Sequence, residues 1–387
     1  MVLISKLYNI KYFPYKGSNT SIILLILSGE LIFILPYFLS RVFRPTFLKL
    51  FDLNNFELGS LFSVYGTVAL FSYIFGGTLA DRFEARKLIS YSLILTAFGG
   101  CVLASYPSYL ILQILYGYWG FTSVFLFWGA MIKETRIWGG SQNQGQAFGF
   151  LDGGRGLIAA LMGTIGVAIF SFFLNDNVLT ANIIERKYAF RNVILFCSMI
   201  VAITGVMVSF FMKIKVDEVI IKSKENKSLK DIISVFKLES IWLLMIIILC
   251  AYFGYKVTDL YSLYASDIMG YNEVKSANIS SLQLYLRPII CFTAGFLADQ
   301  SNGITWIING FILMLVGSLF FAFGLLVPNQ YVLFFTSLIV LASGTYATRA
   351  LYFAVLKECN IPLILTGTAV GVVSLIGYTP DIFAGPL

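Results

Sequence analysis

Gly76-Gly77-Thr78-Leu79-Ala80-Asp81-Arg82-Phe83-Glu84-Ala85-Arg86-Lys87 lies between two long apolar runs. It packs two small residues, an acid and a cluster of bases into a hairpin too short to be a domain. A shorter version, Ala294-Gly295-Phe296-Leu297-Ala298-Asp299-Gln300, returns 218 positions later, again between apolar runs. A hairpin signature placed twice between stretches of membrane-spanning length points to a duplicated membrane protein.

The rest of the chain fits that reading. Of its 387 residues 58% are hydrophobic and only 12% charged, against about 25% charged in soluble domains. Spans need about 20 mostly apolar residues. Such runs occur near 20–42, 57–79, 88–106, 109–132, 147–174, 192–212, 241–264, 279–298, 304–327 and 330–356, and an eleventh begins near 367. The expected fold is therefore all-α and polytopic. A polar-aromatic tail (1–19) leads into a first six-helix half (20–212). A lysine-rich linker (213–240) joins it to a second half (241–387). The first apolar run is long enough to span, so it is read as a retained helix rather than a cleaved signal.

Two more landmarks support duplication. Ile132-Lys133-Glu134 and Leu356-Lys357-Glu358 end the fourth and tenth runs, 224 residues apart. Gly145-Gln146-Ala147-Phe148-Gly149 and Gly367-Thr368-Ala369-Val370-Gly371 open the fifth and eleventh, 222 apart. Extending the second copy by the same ruler predicts a parent protein of about 435 residues and a twelfth helix, since two full halves of about 20-residue spans are needed. The chain is accordingly expected to be a C-terminally truncated form, with a natural eleven-helix protein as the alternative.

With the N-terminus in the cytoplasm, inner segments carry 16 Lys and Arg residues against 7 in the outer loops. The positive-inside rule favours that orientation, which puts both signature hairpins in the cytoplasm. The net charge of +7 is explained by these loops and requires no nucleic-acid partner. With no histidine, His-based catalysis and His-ligated metal sites are excluded. Five cysteines without CxxC spacing read as buried thiols. No nucleophile motif such as GxSxG is present, so an enzyme is not expected, nor any cofactor or metal.

Two six-helix halves, a basic central linker and GGxLADRxxxRK after the second helix resemble the major facilitator superfamily of secondary transporters. The resemblance runs from about Thr20 onward. The arrangement is more faintly similar to sugar-phosphate and organic-anion permeases within it. The second signature departs from the pattern, because Gln300 stands where the first base belongs. The resemblance implies alternating access, a mid-membrane solute site lined by helices one, four, five, seven, eight, ten and eleven, and an eleventh helix facing Asp81. A cytoplasmic gate of Gly77, Asp81, Arg82, Arg86, Glu134, Asp299 and Glu358 follows. Gly76 and Gly77 permit close helix approach, and Asp81 can face a helix N-terminus. Arg82 and Arg86 can pair with Glu134. The second latch, without bases, should be the weaker. A solvated charge cluster that only sets topology is the plainer alternative.

Charges inside spans are costly and usually face a bundle interior or a watery cavity. Arg155, Lys256, Arg287 and Arg349 are the basic ones, and Glu30, Asp152, Asp259 and Asp381 the acidic ones. Asp152 with Arg155, and Lys256 with Asp259, are spaced i, i+3 and can neutralise each other. Arg287 and Arg349 have no acid within a turn and are the stronger anion-binding candidates, unless an acid from another helix takes them. The expected substrate-binding set is Arg287, Arg349, Lys256, Arg155, Trp128 and Tyr255, with Tyr285 as a further cavity candidate. Glu30, Asp259, Asp152 and Asp381 are the proton-coupling candidates. The predicted function is secondary active transport of a small anionic or zwitterionic solute by a monomer in a bacterial inner membrane, with protons and the lipid bilayer as further partners. A transporter-fold sensor without turnover is the alternative.

Overall fold

The computed structural model describes residues 18–384 except 141–142, 175–180, 213–228, 262–263, 266–267, 272, 329, 357, 360 and 363–364. The side chains of Pro45, Ile74, Asp259, 229–232 and 273–282 also fall outside the described set. Eleven main helices follow in order: α1 (Asn19–Val42), α2 (Asn55–Arg82), α3 (Ala85–Leu103), α4 (Tyr109–Gly139), α5 (Gln144–Phe173) and α6 (Ile183–Phe211). After the central segment come α7 (Glu239–Val257), α8 (Glu273–Gln300), α9 (Gly303–Ala322), α10 (Tyr331–Leu351) and α11 (Thr366–Gly377). Helices satisfy every backbone group within one segment, which a lipid environment demands. Among the described residues, eight helices are long and apolar enough to cross a membrane, or nine with α2 taken as one span. α11 is too short at 12 residues. α8 carries Glu273, Lys275, Arg287 and Asp299, which dilute its apolar character.

Local sequence explains the boundaries. Asn54 Oδ1 accepts from the Glu57 amide at 2.8 Å and Glu57 Oε2 accepts from the Asn54 amide at 2.8 Å, a capping box that opens α2. Asn182 and Glu185 repeat it at α6. α4 and α5 run past the expected apolar runs because Lys133, Arg136 and Gln144 are helical and buried rather than in a loop. The expected linker 213–240 contains a short helix, Leu229–Phe236, and its lysine-rich part, 213–228, lies outside the described residues.

Two helices leave α geometry for a π-type turn. In α1 this covers Ile34–Phe38, where the Phe38 amide donates to Phe33 O at 3.2 Å. Pro36, which has no amide proton to donate, lies inside it. In α4 it covers Phe121–Trp128. Such insertions re-aim side chains and recur at functional sites.

The first six helices pack mainly on one another; in the last five, α9 packs on α10, α10 on α8 and α7 on α11, while α8 and α11 make their most extensive contacts with the first group. Two seams join the groups: α5 lies along α8, and α2 along α11. Each is a glycine contact. A methyl on Gly145 would sit 2.6 Å from the Gly295 carbonyl oxygen, and one on Gly367 2.6 Å from that of Gly77. No side chain fits at that distance, so small residues set the approach.

Candidate functional site

Between the two groups lies a cavity of about 580 Å³, including its open mouth. α1 contributes Glu30, Phe33, Tyr37 and Arg41, spaced three or four apart on one stripe. α7 contributes Tyr252, Tyr255 and Lys256 on one face. Tyr65 and Tyr73 come from α2, Trp128 from the end of the α4 π turn, Arg155 from α5 and Arg349 from α10. Tyr378 and Asp381 follow from α11 and the short helix after it.

Charge is arranged around two acids. Asp152 accepts from Arg287 Nη2 at 2.6 Å and Nε at 3.2 Å, from Arg349 Nε at 3.4 Å and from Arg155 Nη1 at 3.5 Å. Arg287 is 1% exposed and lies behind the cavity wall. Glu30 stands 3.3 Å from Arg155 Nε and 3.8 Å from Arg287 Nη1. Since α1 and α5 belong to one group and α8 and α10 to the other, this ionic centre spans both. Asp381 takes Lys256 Nζ at 2.7 Å and a bond from the Tyr252 hydroxyl at 2.8 Å. Arg349 stacks on Tyr255, 3.7 Å above the ring centre, and Arg41 donates to the Tyr255 hydroxyl at 2.8 Å.

The expected substrate residues therefore converge, with changes. Arg155, Lys256, Arg349, Trp128 and Tyr255 line the cavity. Arg287 and Arg349 do have an acid, Asp152 from another helix. Asp152 and Arg155 are not an isolated pair, because Arg287 approaches the same carboxylate more closely. Lys256 pairs with Asp381, and the Asp259 side chain lies outside the described residues. Tyr285 is 43% exposed and meets Thr164 rather than the cavity. Sequence reasoning missed Arg41, Tyr37, Tyr65, Tyr73, Tyr252 and Tyr378. Arg41 was assigned to a loop, although the first apolar run, 20–42, already contained it.

At the base-rich end each seam is closed by an acid on a helix N-terminus. Asp81 accepts from the Gly367 amide at 3.1 Å, the Thr368 amide at 2.9 Å and the Thr368 hydroxyl at 2.8 Å. Asp299 accepts from the Gly145 and Gln146 amides, both at 2.7 Å. Positive helix ends favour such carboxylates. The latch expected to be degraded thus keeps its core contact. The bases differ from expectation too. Arg86 turns to Glu84 at 3.7 Å, and Glu134 makes no ion pair with Arg82 or Arg86. Lys133 instead stands 3.7 Å from Asp81 and donates to Ala80 O at 3.0 Å. Arg136 donates to Thr366 Oγ1 and Ile361 O, both at 2.6 Å. Glu358 is exposed.

The family model of the Major Facilitator Superfamily matches residues 22–385. Inner membrane protein YqcE of Escherichia coli (strain K12) is 26% identical over 372 residues, covering 93% of this chain and 84% of that protein. Inner membrane protein YihN of the same organism is 25% identical over 378 residues, with coverages of 93% and 84%. Among solved structures, FucP in the outward conformation aligns at a TM-score of 0.70 with 14% identity, over 93% of this chain and 89% of that one. A bacterial homologue of the lysosomal transporter Spinster, inward-facing and occupied, aligns at 0.65 with 14% identity, over 95% and 82%. The fold, the repeated clamps and these matches agree: the chain is a multi-pass integral membrane protein that belongs to the Major Facilitator Superfamily.

Proposed function

We propose that this protein is a secondary active transporter that carries a small anion through the central cavity by alternating access. The observation that carries the reading is charge. Three guanidinium groups, Arg155, Arg287 and Arg349, share the carboxylate of Asp152, and Glu30 is the second acid in reach of two of them. That leaves this centre with more guanidinium than carboxylate charge in a water-poor site, where isolated charge is expensive. An anion entering the cavity relieves it, and arginine supplies a planar fork suited to carboxylate or phosphate. The volume, even counted with its mouth, holds only a small molecule.

The base-rich end is assigned to the cytoplasm by the positive-inside rule, in a bacterial inner membrane, as for the two Escherichia coli relatives. Both clamps are closed there, which supports an outward-facing state. Opening inward requires Asp81 and Asp299 to leave their helix ends. Proton coupling is assigned to the carboxyl groups that border the cavity, Glu30 and Asp381. Asp152, enclosed by three guanidinium groups, serves as the fixed anchor.

The test is uptake into proteoliposomes of anions first found by thermal stabilisation of the purified protein. Arg349→Ala is expected to lower uptake at least tenfold, about 1.4 kcal/mol, with Arg349→Lys intermediate and both variants folded. Wild-type uptake by folded Arg349→Ala would remove the anion site. An imposed proton gradient should accelerate uptake, and Glu30→Gln or Asp381→Asn should abolish that acceleration.

A further inference from the structure

Cations around the cavity are held in two different ways. Arg155, Arg287 and Arg349 are held in common by Asp152, and the first two by Glu30 as well. Lys256 is held singly. Its Nζ stands 2.7 Å from Asp381 Oδ1, and the same oxygen accepts from the Tyr252 hydroxyl at 2.8 Å. Among the described residues no other acid reaches Lys256 and no other base reaches Asp381. The ammonium also rests on aromatic faces. It lies 4.7 Å from the Tyr37 ring centre, 5.6 Å from that of Tyr252 and 5.8 Å from that of Phe62. Lys256 and Asp381 come from α7 and the short helix Pro380–Phe383. Tyr37 and Phe62, stacked at 5.0 Å, come from α1 and α2. The pair thus belongs to one group of helices and most of its cage to the other.

The two members of the pair fare differently when a solute anion arrives. A cation can stay on aromatic faces, so Lys256 keeps its place while it changes partner. A carboxylate left alone in a water-poor site is neutralised instead. When an anion replaces Asp381 on the ammonium, Asp381 takes a proton from water, and its oxygen still accepts from Tyr252. The charge in the cavity is then the same before and after entry. The other titratable and charged groups near the pair are Tyr37 and Arg41 of α1, Tyr65 and Tyr73 of α2, Tyr252 and Tyr255 of α7, Arg349 of α10 and Tyr378 of α11. Phenols and guanidinium groups ordinarily titrate at about pH 10 and above, so Asp381 is the member of this set that exchanges a proton near neutrality. Glu30, farther along α1, keeps Arg155 and Arg287 whatever happens at Lys256.

We infer that Asp381 occupies the anion position on Lys256 until it takes a proton, so that one proton enters with each anionic charge that Lys256 accepts. This rests on the anion reading above and assigns its coupling step to one pair.

The test is calorimetric titration of the purified full chain with anions that do not titrate near neutrality: sulfate, ethanesulfonate and lactate. Repeating each titration in buffers of different ionisation enthalpy counts the protons taken up. Whichever probe binds should bring about one proton per anion. Asp381 is ionised in the free protein and protonated in the complex, so affinity should rise about tenfold for each unit by which the pH falls. Asp381→Asn should bind the same probe at least as tightly, take up no proton and lose the pH dependence. Lys256→Gln should bind about tenfold more weakly and take up none, whereas Lys256→Arg should keep the uptake. Binding by the wild type without proton uptake, a count that needs no variant, would overturn the coupling inference and leave the anion reading intact. Uptake that persists in folded Asp381→Asn would place the proton on another group and overturn it too. Binding of none of the three probes would overturn both.

Discussion

Carboxylates occur in this molecule in two opposite conditions. At the base-rich end, Asp81 and Asp299 are saturated by amides of a helix N-terminus in the other group. In the cavity, Glu30 Oε2 is held only by the charges of Arg155 and Arg287 at 3.3 and 3.8 Å, and Trp128 Nε1 and Arg349 Nη1 have no hydrogen-bond partner. The first arrangement is complete as it stands, which suits a closed gate. The second is complete only when something enters. Both are built between the same two groups of helices, so a change at one end bears on the other.

Asp152 is the hinge of that comparison, and its removal should produce the largest effect. It pairs with Arg287, Arg349 and Arg155, of which only Arg287 and Arg155 also reach Glu30. Asp152→Asn leaves three guanidinium groups short of a charge partner. Removing one partner of a buried ionic network costs about 3–5 kcal/mol. Thermal unfolding in detergent should shift by several degrees, and an added anion that binds the wild type should restore part of the loss by replacing the missing charge. An unchanged melting temperature would mean the network carries no structural load.

The clamps should respond less strongly, and unequally. Asp81 accepts from the Thr368 hydroxyl as well as from two amides, whereas the matching position beside Asp299 is Gln146, which offers no hydroxyl. Replacing either acid by Asn exchanges charge-assisted bonds for neutral ones, about 1.4 kcal/mol or a tenfold shift in population toward the inward-open state. Spin-label distances across the base-rich end should lengthen more often for Asp81→Asn than for Asp299→Asn. Equal populations would place the asymmetry outside the two acids. Arg136→Gln, which removes two neutral acceptor contacts to the 361–366 segment, should give the smallest shift of the three.

Much of this was legible in the sequence, and the limits have physical causes. Composition and run length establish a polytopic bundle, because lipid leaves the backbone no alternative to helix. The small-residue landmarks, Gly76-Gly77 with Ala294-Gly295 and Gly145-x-x-x-Gly149 with Gly367-x-x-x-Gly371, lie on both seams, since only small residues tolerate a 2.6 Å approach. Charges within spans marked most of the cavity for the same reason, namely their cost in lipid. Partner choice was not legible. Spacing along one helix proposed Asp152 with Arg155 and Lys256 with Asp259, yet packing brings Arg287 closer to Asp152 and sets Asp381 on Lys256. Lys133 and Arg136 read as loop bases because hydropathy ends α4 before its helix ends. The absence of bases after Asp299 read as a weaker latch, although its core contact is made by backbone amides. Apart from Tyr255, the tyrosines of the cavity gave no signal of their own among 22 in the chain.

The central claim is that the cavity turns over an anion rather than merely holding one. Counterflow in proteoliposomes tests it most directly. Vesicles loaded with an unlabelled anion that stabilises the protein should accumulate the labelled form transiently through wild-type protein, and folded Arg349→Ala should show no such overshoot. Saturable binding by the wild type with no overshoot would contradict the account and leave a transporter fold that senses its ligand without carrying it.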